Sequence, residues 1–216
     1  SDAMVARRFH LLHPLGLKKV LNLGANMVLT YIWLAIIAVA VIYGIVIYNG
    51  LINLKHGIGK AWSNIDILLV QRHSELPKLV ETCKQYMQFE RETLSQVMAA
   101  RSAADGARQS GDVKGVGTAQ AALSAGLGKI TATVEAYPEL RANQSIQHLL
   151  GRITGLENAI SDRREFYNET VNVFNVRLEE FPDLIIARFF GFKSGVLLEF
   201  SEGEKADVDV GALFRS

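Results

Sequence analysis

Residues 29–54 carry no charged side chain, and this run constrains the fold more than any other part of the sequence. Up to residue 48 the run is almost wholly apolar, which meets the roughly 20 residues that a helix needs to cross a bilayer. Tyr31 and Trp33 lie near one end and Tyr48 at the other, where aromatic rings favour the headgroup boundary. We therefore expect a transmembrane helix over residues 29–48, with the lipid bilayer as its partner.

A cleaved secretory signal is the alternative interpretation of an apolar N-terminal run. Such a signal has a shorter apolar core, of about 7–15 residues, and a small-residue cleavage site after it. Here Tyr48, Asn49 and Leu51 follow instead, so the sequence favours a retained anchor. Residues 1–28 form a short basic segment ahead of the span. Within it we expect Met4 to be the natural start and residues 1–3 to be an expression remnant.

Basic residues on the two sides of the span predict its orientation. Four Lys or Arg residues precede the span, and three follow it within about 20 residues. Loops rich in Lys and Arg stay in the cytoplasm. The small excess therefore favours a cytoplasmic N-terminus, with the larger C-terminal part outside.

Composition narrows the fold class and the partners. The chain has 23 Lys and Arg against 22 Asp and Glu, a net charge of +1, which gives no basic footprint for nucleic acid. Cys83 is the single cysteine, so it cannot form an internal disulfide and is expected to be a small buried apolar group. Abundant Ala, Leu, Glu, Gln and Arg favour helices.

After the span, apolar residues recur at three- and four-residue spacings, which is the pattern of one buried helix face. The first stripe consists of Trp62, Ile65, Leu69, Leu76, Leu79, Cys83, Tyr86, Met87, Leu94, Val97 and Met98. It predicts one long helix that ends near Ala104, with a kink or short break near Leu76 because Pro77 removes a backbone bond. Gly57 and Gly59 form either a hinge before this helix or part of a helix continuous with the span.

Two further helices are predicted beyond a glycine-rich loop over residues 104–115. The second helix buries Val116, Leu123, Leu127, Ile130 and Val134 and ends before Pro138. Asn143 or Ser145 begins the third. Its apolar seam consists of Ile146, Leu149, Ile153, Leu156, Ile160, Tyr167, Val171, Phe174 and Leu178.

Helices joined by short connections must lie antiparallel to bury such stripes. We therefore predict an all-α fold, in which the transmembrane helix is followed by an antiparallel helical bundle over residues 49–199. The bundle has three long helices and a short C-terminal helix, with a fourth layer from the kinked first helix or from the chain after Pro182. Residues 200–216 are polar and acidic, so a disordered tail is expected.

The apolar segment 184–192 has two interpretations. It can pack against the bundle, or it can touch the bilayer surface through Phe189, Phe190 and Phe192. Arg188 and Lys193 give little electrostatic attraction to lipid, so burial is favoured.

Several motifs follow one another in a specific order: YNGLINLKHGIGKAWSNIDILLVQRHSELPKLVETCKQY, FERETL, AYPELRANQ, RREFYNETVNVFN and FPDLIIARFFGFK. In this order the chain from residue 48 to residue 193 resembles the LemA family of bacterial membrane proteins. The resemblance implies a single-pass protein of the bacterial cytoplasmic (inner) membrane that carries a mostly antiparallel helical bundle. It implies no defined biochemical role.

The sequence lacks the motifs of common catalytic and metal sites. None of the five histidines has a glutamate three residues before it, as a di-iron bundle requires, and the common zinc spacings are absent. The chain contains neither a Gly-x-x-x-x-Gly-Lys-Ser/Thr loop nor a Gly-x-Ser-x-Gly elbow. We therefore expect no enzymatic activity, no metal and no cofactor.

The densest polar and aromatic stretch is RREFYNETVNVFN, residues 163–175. Helical phase places most of it on the buried seam, with polar residues at the edges. With the first helix it forms a candidate structural or partner-binding patch of Trp62, Asp66, Arg72, Arg163, Arg164, Tyr167, Asn168 and Asn175. We expect these residues to lock helices together. Asp66 is expected to pair with Arg163 or Arg164, since an arginine beside an apolar seam needs a carboxylate or a carbonyl to offset desolvation.

The function favoured at this point is a non-enzymatic scaffold that binds a protein partner or a second copy of itself. One alternative is a bundle that senses a ligand or a stress and transmits it through the membrane helix. Another is a membrane-remodelling protein that uses residues 184–192. These alternatives differ in whether a polar cavity, a protein surface or an apolar lipid contact dominates.

Overall fold

A computed structural model describes residues 2–87 and 91–199, with side chains from residue 24 onward except residue 25. The described residues form six helices and no strand. These are α1 (Asp2–Lys84), α2 (Arg91–Ser110), α3 (Val113–Ala136), α4 (Pro138–Arg141), α5 (Gln144–Glu179) and α6 (Asp183–Phe189). The predicted all-α fold is confirmed. The predicted tail over residues 200–216 lies outside the described residues.

The chain divides into two compact units, Ser1–Gly50 and Leu51–Ser216. In the first unit, the side chains from Met27 to Val46 include many exposed large apolar ones. Among the residues that the structure describes, α1 is the one helix long and apolar enough to cross a membrane. The span predicted over residues 29–48 lies within this helix.

Helix α1 continues through Gly57, Gly59 and Pro77. Of the two predicted alternatives, the two glycines therefore lie in a continuous helix and do not form a hinge. The prediction that this helix ends near Ala104 is wrong, because α1 ends at Lys84. The N–H groups of Tyr86 and Met87 both donate to the Cys83 carbonyl oxygen, which closes the helix. No break in the helix occurs at Leu76.

A narrow turn, shorter than the predicted loop, separates α2 from α3. Helix α2 extends to Ser110, and Gly111 follows with a φ of 70°, a left-handed conformation that glycine adopts without steric cost. Asp112 then caps α3, since its side chain accepts a hydrogen bond from the Gly115 N–H at 3.0 Å.

The second and third predicted helices are confirmed as α3 and α5. Helix α3 buries all five apolar residues that the sequence assigned to its inner face. Asn143 caps α5 by accepting from the N–H groups of Ser145 (3.0 Å) and Ile146 (3.3 Å). The buried residues of α5 continue along one stripe from Ile146 to Leu178.

Two apolar cores fill the second unit. In the first, the C-terminal part of α1 packs with α2, α3, α4 and the start of α5, around residues such as Leu79, Val97, Ile130 and Ile146. In the second, an earlier part of α1 packs with α3, α5 and Leu198 from the end of the described chain. The bundle therefore contains four long helices at the first core, where α2 is a separate helix and not the continuation of α1 that the sequence predicts.

Candidate functional site

Asn168 and Asn175 on α5 hold the last described segment of the chain. This segment, residues 192–199, has no regular secondary structure, and we call it the C-terminal strap. Asn175 Oδ1 accepts from the Gly195 N–H (2.7 Å), and Asn175 Nδ2 donates to the Gly195 carbonyl oxygen (3.1 Å). Asn168 binds Leu198 in the same way, at 2.8 and 3.0 Å. Each side-chain amide thus exchanges two hydrogen bonds with one strap residue, as paired residues of adjacent β-strands do.

The distance between the two asparagines along α5 matches the distance between their two partners along the strap. Seven residues of α-helix from Asn168 to Asn175 rise about 10.5 Å. Three residues of extended chain, from Gly195 to Leu198, span about 10 Å. Because Asn175 binds the earlier strap residue and Asn168 the later one, the strap runs antiparallel to α5. The two asparagines, which we call the asparagine pair, therefore fix one register of an extended chain.

Tyr167 adds a third contact beside the asparagine pair. Its hydroxyl donates to the Val196 carbonyl oxygen at 2.8 Å, and its ring lies 5.6 Å from the Trp62 ring, centroid to centroid. Burial raises the pKa of the Tyr167 phenol, which keeps the O–H available as a donor. Tyr167, Asn168 and Asn175 therefore act together on the strap, while Trp62 packs behind Tyr167.

The strap is also seated by close packing. Leu198 is buried in the second core. On α3, a Cβ atom at Gly117 would collide with the Glu199 carbonyl oxygen, so only glycine lets the strap approach this helix. A Cβ atom on Gly195 would lie 3.0 Å from Val171 Cγ1. We call the channel between Gly117 on α3 and the asparagine pair on α5 the strap groove.

Arg72, another predicted patch residue, is buried and contacts a different set of residues. Its guanidinium is 3.4 Å from the Glu157 carboxylate on α5, and burial lowers its pKa to about 10 although Glu157 opposes that shift. Glu157 also accepts from the Ser124 hydroxyl at 2.9 Å. A cavity of about 20 Å³ lies beside Arg72 and Gln120, which is room for a water molecule near the otherwise unbonded Gln120 Oε1.

Asp66 does not pair with Arg163 or Arg164, so that prediction is wrong. Its carboxylate accepts from Arg108 on α2 at 3.2 Å, and Arg108 also binds Asp105 at 2.9 Å. These carboxylates raise the pKa of Arg108, and Arg108 in turn lowers the pKa of Asp105. Arg163 is exposed and Arg164 is half-buried. The predicted patch is therefore not one site.

The three phenylalanines predicted to touch a membrane divide into two environments. Phe189 and Phe190 are 81% and 54% exposed and stack edge to face at 5.0 Å. Phe192 is half-buried, and its ring lies 6.4 Å from that of Phe174. Helix α6 is fastened from its other side by the Arg177–Asp183 ion pair and the buried Ala187. Burial, the favoured interpretation of residues 184–192, thus applies to only part of the segment.

The arrangement is suited to binding an extended peptide backbone. Within the described ranges, no group of three or more His, Cys, Asp or Glu side chains is placed to hold a metal ion. The Cys83 thiol is buried, which raises its pKa to about 11.

The sequence did not identify four residues that the structure shows to matter: Gly117, Gly195, Arg108 and Glu157. Their roles depend on contacts with elements distant in the sequence, and the local spacing of residues does not reveal such contacts.

Comparison with known proteins gives one family. The model of the LemA family matches residues 61–211. Magnetosome protein MamQ 2 of Paramagnetospirillum magneticum is 31% identical over 67 residues, which cover 31% of this chain and 25% of that protein. Magnetosome protein MamQ of Magnetospirillum gryphiswaldense is 30% identical over 67 residues, with the same coverage. The chain thus spans about a quarter of the length of the curated relatives it matches.

Proposed function

The chain belongs to the LemA family, and from this membership and the geometry above we propose that it is a membrane-anchored scaffold that binds other proteins through its helical bundle. We further propose that it lies in the bacterial cytoplasmic membrane with its N-terminus inside and its bundle outside. In this role the protein catalyses no reaction. Its bundle presents protein-binding surfaces at a membrane.

The proposal rests on one observation: polar residues of the predicted patch bind other residues of the same chain. Tyr167 and the asparagine pair bind the strap, Arg72 binds Glu157, and Asp66 binds Arg108. These contacts join elements of the bundle, which supports a structural role for these residues. A nucleophile or a general base needs instead a side chain directed at a substrate.

The outer side of α5 offers a protein-binding surface. Phe166, Val173 and Val176 are 53%, 45% and 44% exposed, and we call them the outer stripe. Their spacing of seven and then three residues is that of a helix seam, so an amphipathic helix of a partner fits against it. Exposed apolar groups on such a face mark interaction sites when they are contiguous.

Crosslinking from native membranes tests the scaffold proposal. A variant with Phe166→Ser, Val173→Ser and Val176→Ser is compared with a matched control, Glu165→Ser, Asn172→Ser and Glu179→Ser, on the same helix. We expect the outer-stripe variant to lose crosslinked partners that the wild-type and control proteins retain, with equal membrane levels of all three. Equal partner capture by both variants would contradict the proposal.

Membrane-surface contact is a second candidate, favoured by the exposure of one set of residues. Phe181, Ile185 and Phe189 recur at four-residue spacing and are 80%, 57% and 81% exposed, and with Phe190 they form the aromatic patch. Amphipathic segments rich in aromatic residues bind the boundary between headgroups and acyl chains. Arg188, on the same helix, is exposed and adds a cation that suits an anionic headgroup.

Tryptophan fluorescence tests the second candidate in the full chain. A Phe189→Trp variant, made in a Trp33→Phe, Trp62→Phe background, is reconstituted in vesicles that contain brominated lipid. We expect strong quenching at position 189 and little quenching in a Val196→Trp control, whose exposed side chain lies on the strap. Equal quenching at the two positions excludes a specific contact of the aromatic patch with lipid.

A further inference from the structure

The strap groove binds its occupant through main-chain atoms. Tyr167, Asn168 and Asn175 form five hydrogen bonds with the strap, three as donors and two as acceptors, and in all five the strap contributes main-chain atoms, of Gly195, Val196 and Leu198. Main-chain recognition gives affinity, whereas pockets for individual side chains give specificity. The strap groove therefore accepts an extended chain of suitable side-chain pattern, whichever molecule supplies it.

Two strap positions set that pattern. A Cβ atom on Gly195 would crowd the buried Val171 side chain, which must shift to accept it, and Leu198 is 1% exposed in the second core. Between them, Val196 and Leu197 are 43% and 36% exposed, so their side chains add little to recognition. The pattern is thus a glycine, two unrestricted residues and a leucine. The segment that satisfies it here is residues 192–199 of this chain.

The strap is joined to α6 by a short connection. Gly191 follows Phe190 with a φ of 69°, and the strap starts at the next residue. A glycine can change φ and ψ with little steric cost, so the strap can leave its own bundle by rotation at this point. An exchanged strap would make the same contacts in a neighbouring copy, which is why domain swapping is a low-cost route to association.

We propose that the strap groove binds the strap of a second copy of this chain, so that copies in one membrane are linked by strap exchange. This inference rests on the proposed scaffold function and names one of its partners as the protein itself. The second copy is the chosen occupant because its residues 192–199 fit the groove in every contact described above. Confinement of the copies to one membrane raises their effective concentration and favours exchange.

Photocrosslinking between two differently tagged full-length copies tests the proposal. The donor copy carries Asn168→Ala and Asn175→Ala, which weaken its own strap groove, and a diazirine analogue of leucine at position 198. The acceptor copy carries Gly195→Val, which displaces its own strap and leaves its asparagine pair intact. Both are reconstituted together in vesicles of phosphatidylethanolamine and phosphatidylglycerol and then irradiated.

We expect a crosslinked product that carries both tags. Its yield should fall at least about tenfold when the acceptor also carries Asn168→Ala and Asn175→Ala, because four hydrogen bonds to the incoming strap are then lost. Thermal melting of each copy verifies folding, and a milder acceptor, Leu198→Ala, repeats the comparison if Gly195→Val does not fold. Equal yields with and without the acceptor's asparagine pair, or crosslinks confined to the donor chain, overturn strap exchange.

The two proposals fail separately. Absence of the doubly tagged product, together with normal partner capture by the outer stripe, rejects strap exchange and leaves the scaffold proposal standing. The reverse result, a doubly tagged product with no capture through the outer stripe, rejects that surface and leaves a self-associating protein.

Discussion

Asn175 and Gly195 exchange two hydrogen bonds, of 2.7 and 3.1 Å, although 20 residues separate them in sequence. Asn168 repeats the arrangement with Leu198. A side-chain amide can present one donor and one acceptor in the geometry of a peptide group, and few other side chains can. Asn168 and Asn175 thus share one task, which is to hold an irregular chain segment against a helix.

Asn168→Ala or Asn175→Ala should each destabilise the protein by about 1–3 kcal/mol, since each removes two hydrogen bonds of about 0.5–1.5 kcal/mol. Hydrogen exchange at the Gly195 and Leu198 amides should accelerate in the corresponding variant. Asn172→Ala is the matched control, because Asn172 is exposed on the same helix. Unchanged protection of the Gly195 amide in Asn175→Ala would contradict the role given to this side chain.

Gly117→Ala should destabilise the protein by about 1–3 kcal/mol, as expected for overpacking against backbone. The added methyl group would collide with the Glu199 carbonyl oxygen and push the strap away from α3. Gly128→Ala, on the same helix with no atom near the added Cβ, should instead stabilise by up to about 1 kcal/mol through helix propensity. Urea unfolding of both variants measures the difference, and equal effects would exclude close packing at Gly117.

Glu157→Gln should destabilise the protein by up to about 3 kcal/mol, the low end for a broken buried ion pair because Glu157 is partly solvated. The change leaves the buried Arg72 guanidinium without a carboxylate. Arg72→Met fills similar volume without a charge, so it should be close to neutral. Thermal melting compares the two variants, and a large loss in Arg72→Met would show that this arginine makes a net stabilising contribution.

His73 should make stability depend on pH in the mildly acidic range. Burial, with nearby Arg101, lowers the pKa of its imidazole below the usual 6.5. Between the lowered pKa and 6.5 the unfolded chain binds more protons than the folded one, so stability rises with pH there and is lost as pH falls through the folded pKa. Urea midpoints from pH 5 to 7 should show this slope in the wild type, and His73→Gln should flatten it.

Asp66→Ala should lower the melting temperature only slightly. Arg108 keeps Asp105 as a partner when Asp66 is removed, and both side chains of the Asp66–Arg108 pair are partly exposed. Pairs of this kind contribute about 0–1 kcal/mol. A double-mutant cycle with Arg108→Ala measures the coupling, and a coupling well above that range would mean that the pair links α1 and α2 more strongly than its exposure implies.

The helices that were predicted well carry their own boundary signals. Asn143 caps α5, Pro138 follows the end of α3, and both buried stripes follow helical spacing over several turns. These are local properties, so a single sequence contains them. Three of the patch residues, Tyr167, Asn168 and Asn175, also proved to share one task, because they lie within eight positions on one helix.

The predictions that proved wrong concern places where the local sequence carries no marker of the structure. Residues 85–90 contain neither glycine nor proline, so the sequence predicts one continuous helix where α1 ends and α2 begins. Arg108 falls in the loop predicted over residues 104–115, so the sequence gives no indication that it lies on a helix opposite Asp66. The strap has no helical or alternating pattern, and its position depends on contacts with residues 20 to 30 positions earlier.

The matched spacing between α5 and the strap also sets which changes of chain length the protein can accept. Substitutions at the exposed Val196 and Leu197 leave both asparagine contacts in place. An inserted or deleted residue between Gly195 and Leu198 shifts one contact by about 3.3 Å relative to the other, and no repacking of side chains restores both. In the genes of such proteins, this short interval should therefore vary in composition but not in length.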